Sequence, residues 1–167
     1  TLGALAGCIS GGPKGGSNAP VPRGPSSGPA QLKSETRTTN DADGNLARKL
    51  EGYVDNEENL VPHGLETNFW PSGKKKSQLR YVHGLKHGPA EAWYENGQVW
   101  WSGDYLDGGE DGVLTVWLPD GRKAQEYHFE HGAWHGVNSE WYPNGQKKVE
   151  MTYDHGTYHG MYTEWHA

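Results

Sequence analysis

The sequence contains a single cysteine, Cys8, so the chain cannot form an internal disulfide. Apolar residues are also scarce: they make up 33% of the chain, which has only 2 Met and 2 Phe. A chain of 167 residues with this composition has room for one domain, or a small domain plus a tail, with a core built from aromatic rings. The net charge of −6 argues against general nucleic-acid binding, which requires a basic surface.

Aromatic residues are missing from the first part of the chain, since the 8 Trp, 9 Tyr and 2 Phe all lie between Tyr53 and Trp165. Residues 11–30 are mostly Gly, Pro, Ser and Ala, which cannot bury enough apolar surface to offset the entropy lost on ordering. We therefore expect the folded part to begin near residues 40–50. The predicted organisation is the end of a lipoprotein signal at 1–8, a linker at 9–40, a degenerate first repeat at 41–62 and four and a half repeats at 63–167.

Glycine, by contrast, is abundant and recurs with a fixed period of 24 residues. Aromatic residues keep the same period, in one column that begins at Phe69 and another that begins at Tyr81. A constant register of this kind is the signature of a repeat architecture in which each unit packs on its neighbours. The glycine columns are Gly64, Gly88, Gly112, Gly136 and Gly160; Gly73, Gly97, Gly121 and Gly145; and Gly84, Gly108, Gly132 and Gly156.

Each repeat has the pattern of a β-hairpin. In the second unit, residues 89–94 form a short run that ends in aromatics, residues 95–98 (ENGQ) are a turn signal, and residues 99–106 are rich in β-forming side chains. Helix is not expected between residues 60 and 167, because no stripe with a helical period survives the frequent glycines. The degenerate first repeat is longer by four residues, which we place around 59–62.

Alternation along each strand assigns the aromatic columns to faces. The column that begins at Phe69 points to one side of the sheet and the column that begins at Trp70 points to the other. Members of one column lie two strands apart, so we expect their rings to interleave with rings of the intervening strand and to form a thin aromatic layer. Trp134 lies outside both columns and is expected at the rim of the sheet. The candidate binding face comprises Trp70, Trp93, Tyr94, Trp117, Trp134, Trp141, Tyr142, Tyr158 and Trp165.

The pattern HGxxxxWYxNGQ, followed by Tyr-x-x-Gly and another HG, resembles the variant MORN repeat of bacterial proteins, many of them labelled antitoxin components of the YwqK type. Residues 87–98 (HGPAEAWYENGQ) and 135–146 (HGVNSEWYPNGQ) carry the resemblance, which covers about residues 63–167. It implies an all-β fold, an elongated antiparallel β-meander of stacked hairpins. It also implies protein interaction, scaffolding or membrane association, without catalytic residues. The third unit departs from the pattern at Asp111 and Leu118, so a binding surface that uses those columns is expected to be interrupted there.

Histidines recur in pairs four positions apart, each followed by glycine: His83 and His87, His131 and His135, and His155 and His159. Metal sites usually need three or four converging ligands, and a single turn offers only one pair. In the third unit both positions are acidic, Asp107 and Asp111, as expected for turn residues whose short polar side chains bond the local backbone. We therefore interpret the pairs as residues that bracket a turn and predict no metal and no cofactor, with metal binding as the alternative.

No GxSxG, HExxH or P-loop motif occurs in the sequence, so we predict that the protein is not an enzyme. The leading hypothesis is a non-enzymatic repeat protein for protein–protein interaction or scaffolding, an accessory subunit of a larger assembly. One alternative is an antitoxin-like module that neutralises a partner toxin. Another is a self-assembling structural subunit, since a stack of hairpins exposes unpaired strand edges.

The segment Leu5-Ala6-Gly7-Cys8 has the form of a bacterial lipobox, in which the cysteine becomes lipid-modified and N-terminal after cleavage. The Gly/Pro/Ser-rich linker suits a tether between a bilayer and a folded domain. We predict membrane attachment through lipidated Cys8 and a location in the bacterial cell envelope, periplasmic or surface-facing. The alternative is an accidental run of small residues in a cytoplasmic protein. Wherever the N-terminal tail is ordered, we expect protein partners or neighbouring subunits to hold it.

Intact mass spectrometry of the native protein tests the lipid anchor. Cleavage before Cys8 and acylation of that residue predict a mass that lacks residues 1–7 and includes acyl chains. The Cys8→Ser variant is expected to lack the acyl chains, because it has no thiol to modify. A native chain that retains residues 1–7 and has an unmodified Cys8 would contradict the predicted lipid anchor.

Overall fold

The computed structural model describes residues 33–166, which form one antiparallel β-sheet. Each strand pairs with its neighbour in chain order, except that the short β9 pairs only with β8, which also pairs with β10. No helix occurs in this range, which confirms the predicted all-β meander of hairpins. The strands are β1 (Ser34–Asn40), β2 (Leu46–Val54), β3 (Leu60–Phe69), β4 (Lys75–Val82), β5 (Leu85–Trp93), β6 (Val99–Leu106), β7 (Gly109–Trp117), β8 (Lys123–Glu130), β9 (Ala133–Trp134), β10 (Gly136–Trp141), β11 (Lys147–Asp154) and β12 (Thr157–Glu164).

Two sequence predictions fall on residues outside the described range: the lipobox with Cys8 and most of the linker at 9–40. Within residues 33–166, no segment forms a helix of the length and apolar character needed to cross a membrane.

The turns that join one repeat to the next contain two residues, both with positive φ. His83 (φ 49°) and Gly84 (φ 85°) form the first of them, and the flanking Val82 and Leu85 are paired. Positive φ at both central residues defines a type I′ turn, whose twist matches that of the two strands. The same geometry recurs at Asp107–Gly108, His131–Gly132 and His155–Gly156. The interpretation of the first histidine of each pair as a turn residue is thus confirmed.

The second histidine of each pair does not bracket the turn, contrary to the prediction: His87 and His159 lie in the strand that follows, and His135 lies between β9 and β10. His87 belongs to β5, and the pairing of β4 with β5 shifts so that residues 87–89 lie opposite Arg80 alone. Gly88 accommodates this bulge with a φ of 82°. The prediction failed because the spacing of the two histidines cannot distinguish a turn from a bulge a few residues beyond it.

The sheet begins earlier than predicted. Strand β1 (SETRTTN) consists of seven residues that lie within the predicted 9–40 linker, so the boundary predicted at residue 40 is too late. This strand has no aromatic or large aliphatic side chain and is mostly exposed. Backbone pairing with β2, from Ser34 to Asn40, holds it in place. Its sequence therefore carries no burial pattern that could have identified it.

Three of the four extra residues of the degenerate first repeat lie in the turn at 55–59 rather than around 59–62. The carboxylate of Asp55 accepts hydrogen bonds from the backbone N–H groups of Glu57 and Asn59, both at 2.9 Å. These bonds hold the pKa of Asp55 below its usual range. A five-residue turn capped by a carboxylate thus replaces the two-residue turn of the later repeats.

Only one face of the sheet carries the hydrophobic core. Leu114 pairs with Tyr127, and paired residues of antiparallel strands point to the same side, which we call the core face. Val116 and Phe129 complete the buried cluster on that side. Val113, one residue before Leu114, is 44% exposed on the opposite side, which we call the outer face. Three partly buried rings pack against the cluster, those of Trp100, Trp101 and Trp134.

Replacement of Leu114 by alanine tests this assignment of faces. Loss of its buried methyl groups should lower the free energy of unfolding by about 2–4 kcal/mol, because the neighbouring rings cannot close the cavity completely. The control is Val113→Ala on the same strand, with an expected change below about 1 kcal/mol. Urea unfolding followed by circular dichroism measures both values, and equal losses would contradict the assignment.

Candidate binding surface

A stripe of aromatic and basic side chains follows the outer face beside the longer hairpin turns. Its rings and lysines are cross-strand pairs, as Trp117 with Lys123 and Trp141 with Lys147 illustrate. Since a ring recurs at this position in every unit, the stripe runs across the strands. We call it the outer stripe; it comprises Phe69, Lys75, Trp93, Val99, Trp117, Lys123, Trp141, Lys147 and Trp165.

Lysine ammonium groups lie between the rings of the outer stripe. Lys147 Nζ is 5.9 Å from the centre of the Trp141 ring and 5.8 Å from that of Trp165. Lys123 Nζ lies 5.4 Å from the Trp141 ring. Cation–π contacts of this length contribute about 0.5–1 kcal/mol at exposed sites. The intervening strands thus supply lysines, or Val99 in the second unit, in place of the rings that were expected between members of the column.

The column that begins at Trp70 ties each unit to the next. Its side chains donate hydrogen bonds to backbone carbonyl groups of the outer stripe, 23 positions later in the chain. Burial raises the pKa of the Tyr94 hydroxyl, which keeps this donor protonated. Leu118 occupies the column in the third unit and offers no donor. The bonds run from Trp70 Nε1 to the Trp93 carbonyl (3.1 Å), from the Tyr94 hydroxyl to that of Trp117 (2.8 Å) and from the Tyr142 hydroxyl to that of Trp165 (3.0 Å).

Trp134 and Tyr158 lie on the core face, away from the outer stripe. The Trp134 ring stacks on Tyr127 with 5.8 Å between ring centres and meets Tyr153 edge-on at 4.7 Å. Tyr158 also contacts Tyr153, at 5.9 Å, and is 47% exposed. Trp134 therefore contributes to packing at the place where the sequence predicted a free contact at the rim. The nine predicted residues do not share one surface.

At the other end of the strands, the histidines form contacts between units that the sequence did not predict. The residue that begins each bulge lies beside the turn residue found 20 positions later. The backbone N–H of His83 donates to His63 Nδ1 at 3.2 Å, and that of His131 donates to Asp111 Oδ1 at 3.1 Å. We call this series the histidine ladder; its rungs are His63/His83, His87/Asp107, Asp111/His131 and His135/His155.

Backbone hydrogen bonds set the spacing of these rungs. The N–H of each turn glycine donates to a carbonyl group at the start of the preceding unit, as in Gly84 to Pro62 and Gly132 to Glu110, both at 2.8 Å. Each turn therefore lies against the unit before it. Histidine and aspartate can replace each other at the start of the bulge because both provide an acceptor for the turn N–H, as His63 and Asp111 do.

The rung His135/His155 is the only one of the four that has two carboxylates beside it in the described residues. Glu130 Oε2 lies 3.5 Å from His135 Nδ1 and 3.3 Å from His155 Nε2. Asp154 Oδ1 lies 2.6 Å from His155 Nδ1. In the two preceding units, the position equivalent to Glu130 is occupied by Leu106 and Val82. The charge of this corner therefore belongs to one unit and is not part of the repeat.

The fold and these inter-unit contacts define a β-hairpin repeat protein. Three of its segments match the family model described as MORN repeat variant: residues 62–83, 86–100 and 134–155. Repeats of this type are non-catalytic and commonly serve as protein-binding or membrane-binding modules. The stretch between the second and third matches contains Asp111 and Leu118, where the sequence departs from the repeat pattern. Comparison with curated proteins gives no significant match.

A tyrosine at position 118 should repair the interrupted column. In Leu118→Tyr, the hydroxyl can donate to the Trp141 carbonyl as its equivalents do in the neighbouring units, with an expected gain of about 0.5–1.5 kcal/mol in unfolding free energy. Leu118→Phe adds a similar ring without the donor and serves as the control. Chemical denaturation that gives both variants the same stability would show that the hydrogen bond contributes nothing.

Proposed function

We propose that the protein is a non-enzymatic binding module that holds a protein partner on the outer stripe, as an accessory subunit of a larger assembly. The observation that carries the proposal is the repetition of half-exposed tryptophans across the outer face. Trp93, Trp117 and Trp141 follow one another across the sheet, and successive members lie two strands apart, a spacing of about 10 Å. A partner that contacts several of these tryptophans gains binding free energy from each contact.

The chemistry of the outer stripe favours a partner with acidic and apolar side chains. Tryptophan buries a large area at a low entropic cost, which explains its enrichment in binding hot spots. The lysines between the rings attract carboxylates and align the partner. Two of these lysines also pair with carboxylates of the chain itself, those of Glu126 and Glu150. An acidic partner would therefore compete with internal ion pairs, and exposed pairs of this kind are weak.

The location that we propose for this module is the bacterial cell envelope, with lipidated Cys8 as the anchor. The support is the LAGC motif and the Gly/Pro/Ser-rich composition of residues 11–30. A chain of this composition separates the anchor from the sheet and lets the outer stripe reach partners near the membrane. An antitoxin-like role would be one form of the same activity, with a toxin as the bound protein.

Self-association is a second candidate function, favoured by the exposed side chains of β12. Met161 is 80% exposed and Tyr162 is 53% exposed. Among the described strands, β12 pairs with β11 alone, so one of its backbone edges is available for another strand. In this case a second copy of the chain would be the partner.

Substitution of two stripe tryptophans separates these functions. Trp93→Ala combined with Trp141→Ala should weaken partner binding at least tenfold, because a truncated hot-spot residue costs about 2 kcal/mol or more. Tyr162→Ala is the control, since it removes an exposed ring from the core face. The partner is first identified by cross-linking to the wild-type chain in the native envelope. Its affinity for each variant is then measured, and circular dichroism monitors the fold.

Partner binding that is unchanged by the double substitution would show that the outer stripe is not the binding surface. Sedimentation velocity of the wild-type chain and of Tyr162→Ala addresses the second candidate. Concentration-dependent dimers that the Tyr162 substitution abolishes would favour self-association, and monomers at high concentration would contradict it.

A further inference from the structure

The corner formed by the last rung of the histidine ladder brings together three side chains of the kind that bind transition metals. Glu130 ends β8, His135 lies between β9 and β10, and His155 occupies the turn between β11 and β12. One ligand atom from each of the three lies within 4.8 Å of the other two. The two histidines of one pair provide only two ligands, whereas the contact between successive units brings three ligands together.

The distances in this corner suit a small, four-coordinate ion. Zinc binds histidine nitrogen and carboxylate oxygen at about 2.0–2.1 Å, so two ligands of a tetrahedral site lie about 3.4 Å apart. Glu130 Oε2 lies 3.3 Å from His155 Nε2 and 3.5 Å from His135 Nδ1. A carboxylate at these distances from two nitrogens leaves room for an ion between them with little movement.

Asp154 orients one of the histidines for this task. Its Oδ1 lies 2.6 Å from His155 Nδ1, so the carboxylate accepts a hydrogen bond from the N–H of that nitrogen and leaves Nε2 free to face Glu130. A carboxylate that holds the distal N–H of a ligating histidine is a recurrent arrangement in zinc sites. Asp154 thus acts as a positioning residue.

His135 gives independent support, because its Nδ1 is buried and makes no hydrogen bond. Two carboxylate oxygens lie close to this nitrogen, those of Asp154 at 3.4 Å and Glu130 at 3.5 Å. A buried nitrogen without a partner is costly unless another group satisfies it. A cation at this point would satisfy the nitrogen and the Glu130 carboxylate together, while Asp154 continues to hold His155.

We infer that Glu130, His135 and His155 form a binding site for a divalent transition-metal ion, with zinc as the best fit. Two imidazoles and one carboxylate favour zinc over calcium and magnesium, which prefer oxygen ligands. Three protein ligands leave the fourth position to water. The ligands come from both sides of a repeat boundary, so the ion fastens the β11–β12 hairpin to the unit before it.

Titration calorimetry with zinc chloride on the full, untagged chain tests the site. The wild-type chain should bind one zinc ion and should melt at a higher temperature with zinc than with calcium or magnesium, since a ligand that binds only the folded state stabilises it. His155→Asn should lose this binding while keeping the turn, because asparagine tolerates the positive φ of position 155. Glu130→Leu introduces the residue that stands at position 106 and should also weaken binding by at least about tenfold.

Matched controls distinguish this site from other histidines and from the thiol. His83→Asn alters a rung that has no neighbouring carboxylate pair and should leave zinc binding unchanged, and Cys8→Ser should do the same. Asp154→Asn should keep one ion per chain but bind it about tenfold more weakly, as expected for a residue that orients a ligand. Cobalt absorption bands typical of tetrahedral coordination should persist in Asp154→Asn and disappear in His155→Asn.

The inference is overturned if the wild-type chain shows no saturable zinc binding. It is also overturned if His155→Asn binds zinc as the wild type does, or if His83→Asn loses binding to the same extent.

Discussion

The hydrogen bond from each turn glycine to the preceding unit is the contact on which the rest of the structure depends. The sheet has a single layer, so a hairpin cannot bury its own apolar face and must rely on its neighbours. The Gly84 N–H reaches the Pro62 carbonyl only because His83 and Gly84 both adopt positive φ and turn the backbone toward the unit before. Because the same turn recurs in each of the four later repeats, the strands stay in register and the side-chain columns stay aligned.

Much of this architecture could be predicted, because glycine and aromatic columns report directly on backbone conformation. The turns at His83–Gly84 and its equivalents and the outer-face tryptophans follow from the period alone. Strand β1 could not be predicted, since backbone pairing rather than burial holds it. The inter-unit hydrogen bond of Tyr94 and the stacking of Trp134 depend on the register of neighbouring strands. A one-dimensional pattern does not contain that register.

The two ends of the strands differ in chemistry. Beside the longer turns, the aromatic column that includes Tyr94 and Tyr142 joins the units through side-chain donors and supports the outer stripe. Beside the two-residue turns, histidine and aspartate accept backbone N–H groups between units. The third unit weakens the first set through Leu118 but keeps the second through Asp111. The joint between the third and fourth units is therefore held more firmly at one end of the strands than at the other.

The positive φ of the turn residues has a further consequence for how such a chain can change. Position 155 and its equivalents accept only the few residue types that tolerate a left-handed backbone, and histidine, aspartate and asparagine are among them. These residues are also metal ligands or hydrogen-bonding groups. A substitution of one of these residue types by another at a turn position leaves the fold intact. It nevertheless adds or removes a functional group at a defined place in the structure. The scaffold thus separates the evolution of local chemistry from the evolution of stability, one repeat at a time.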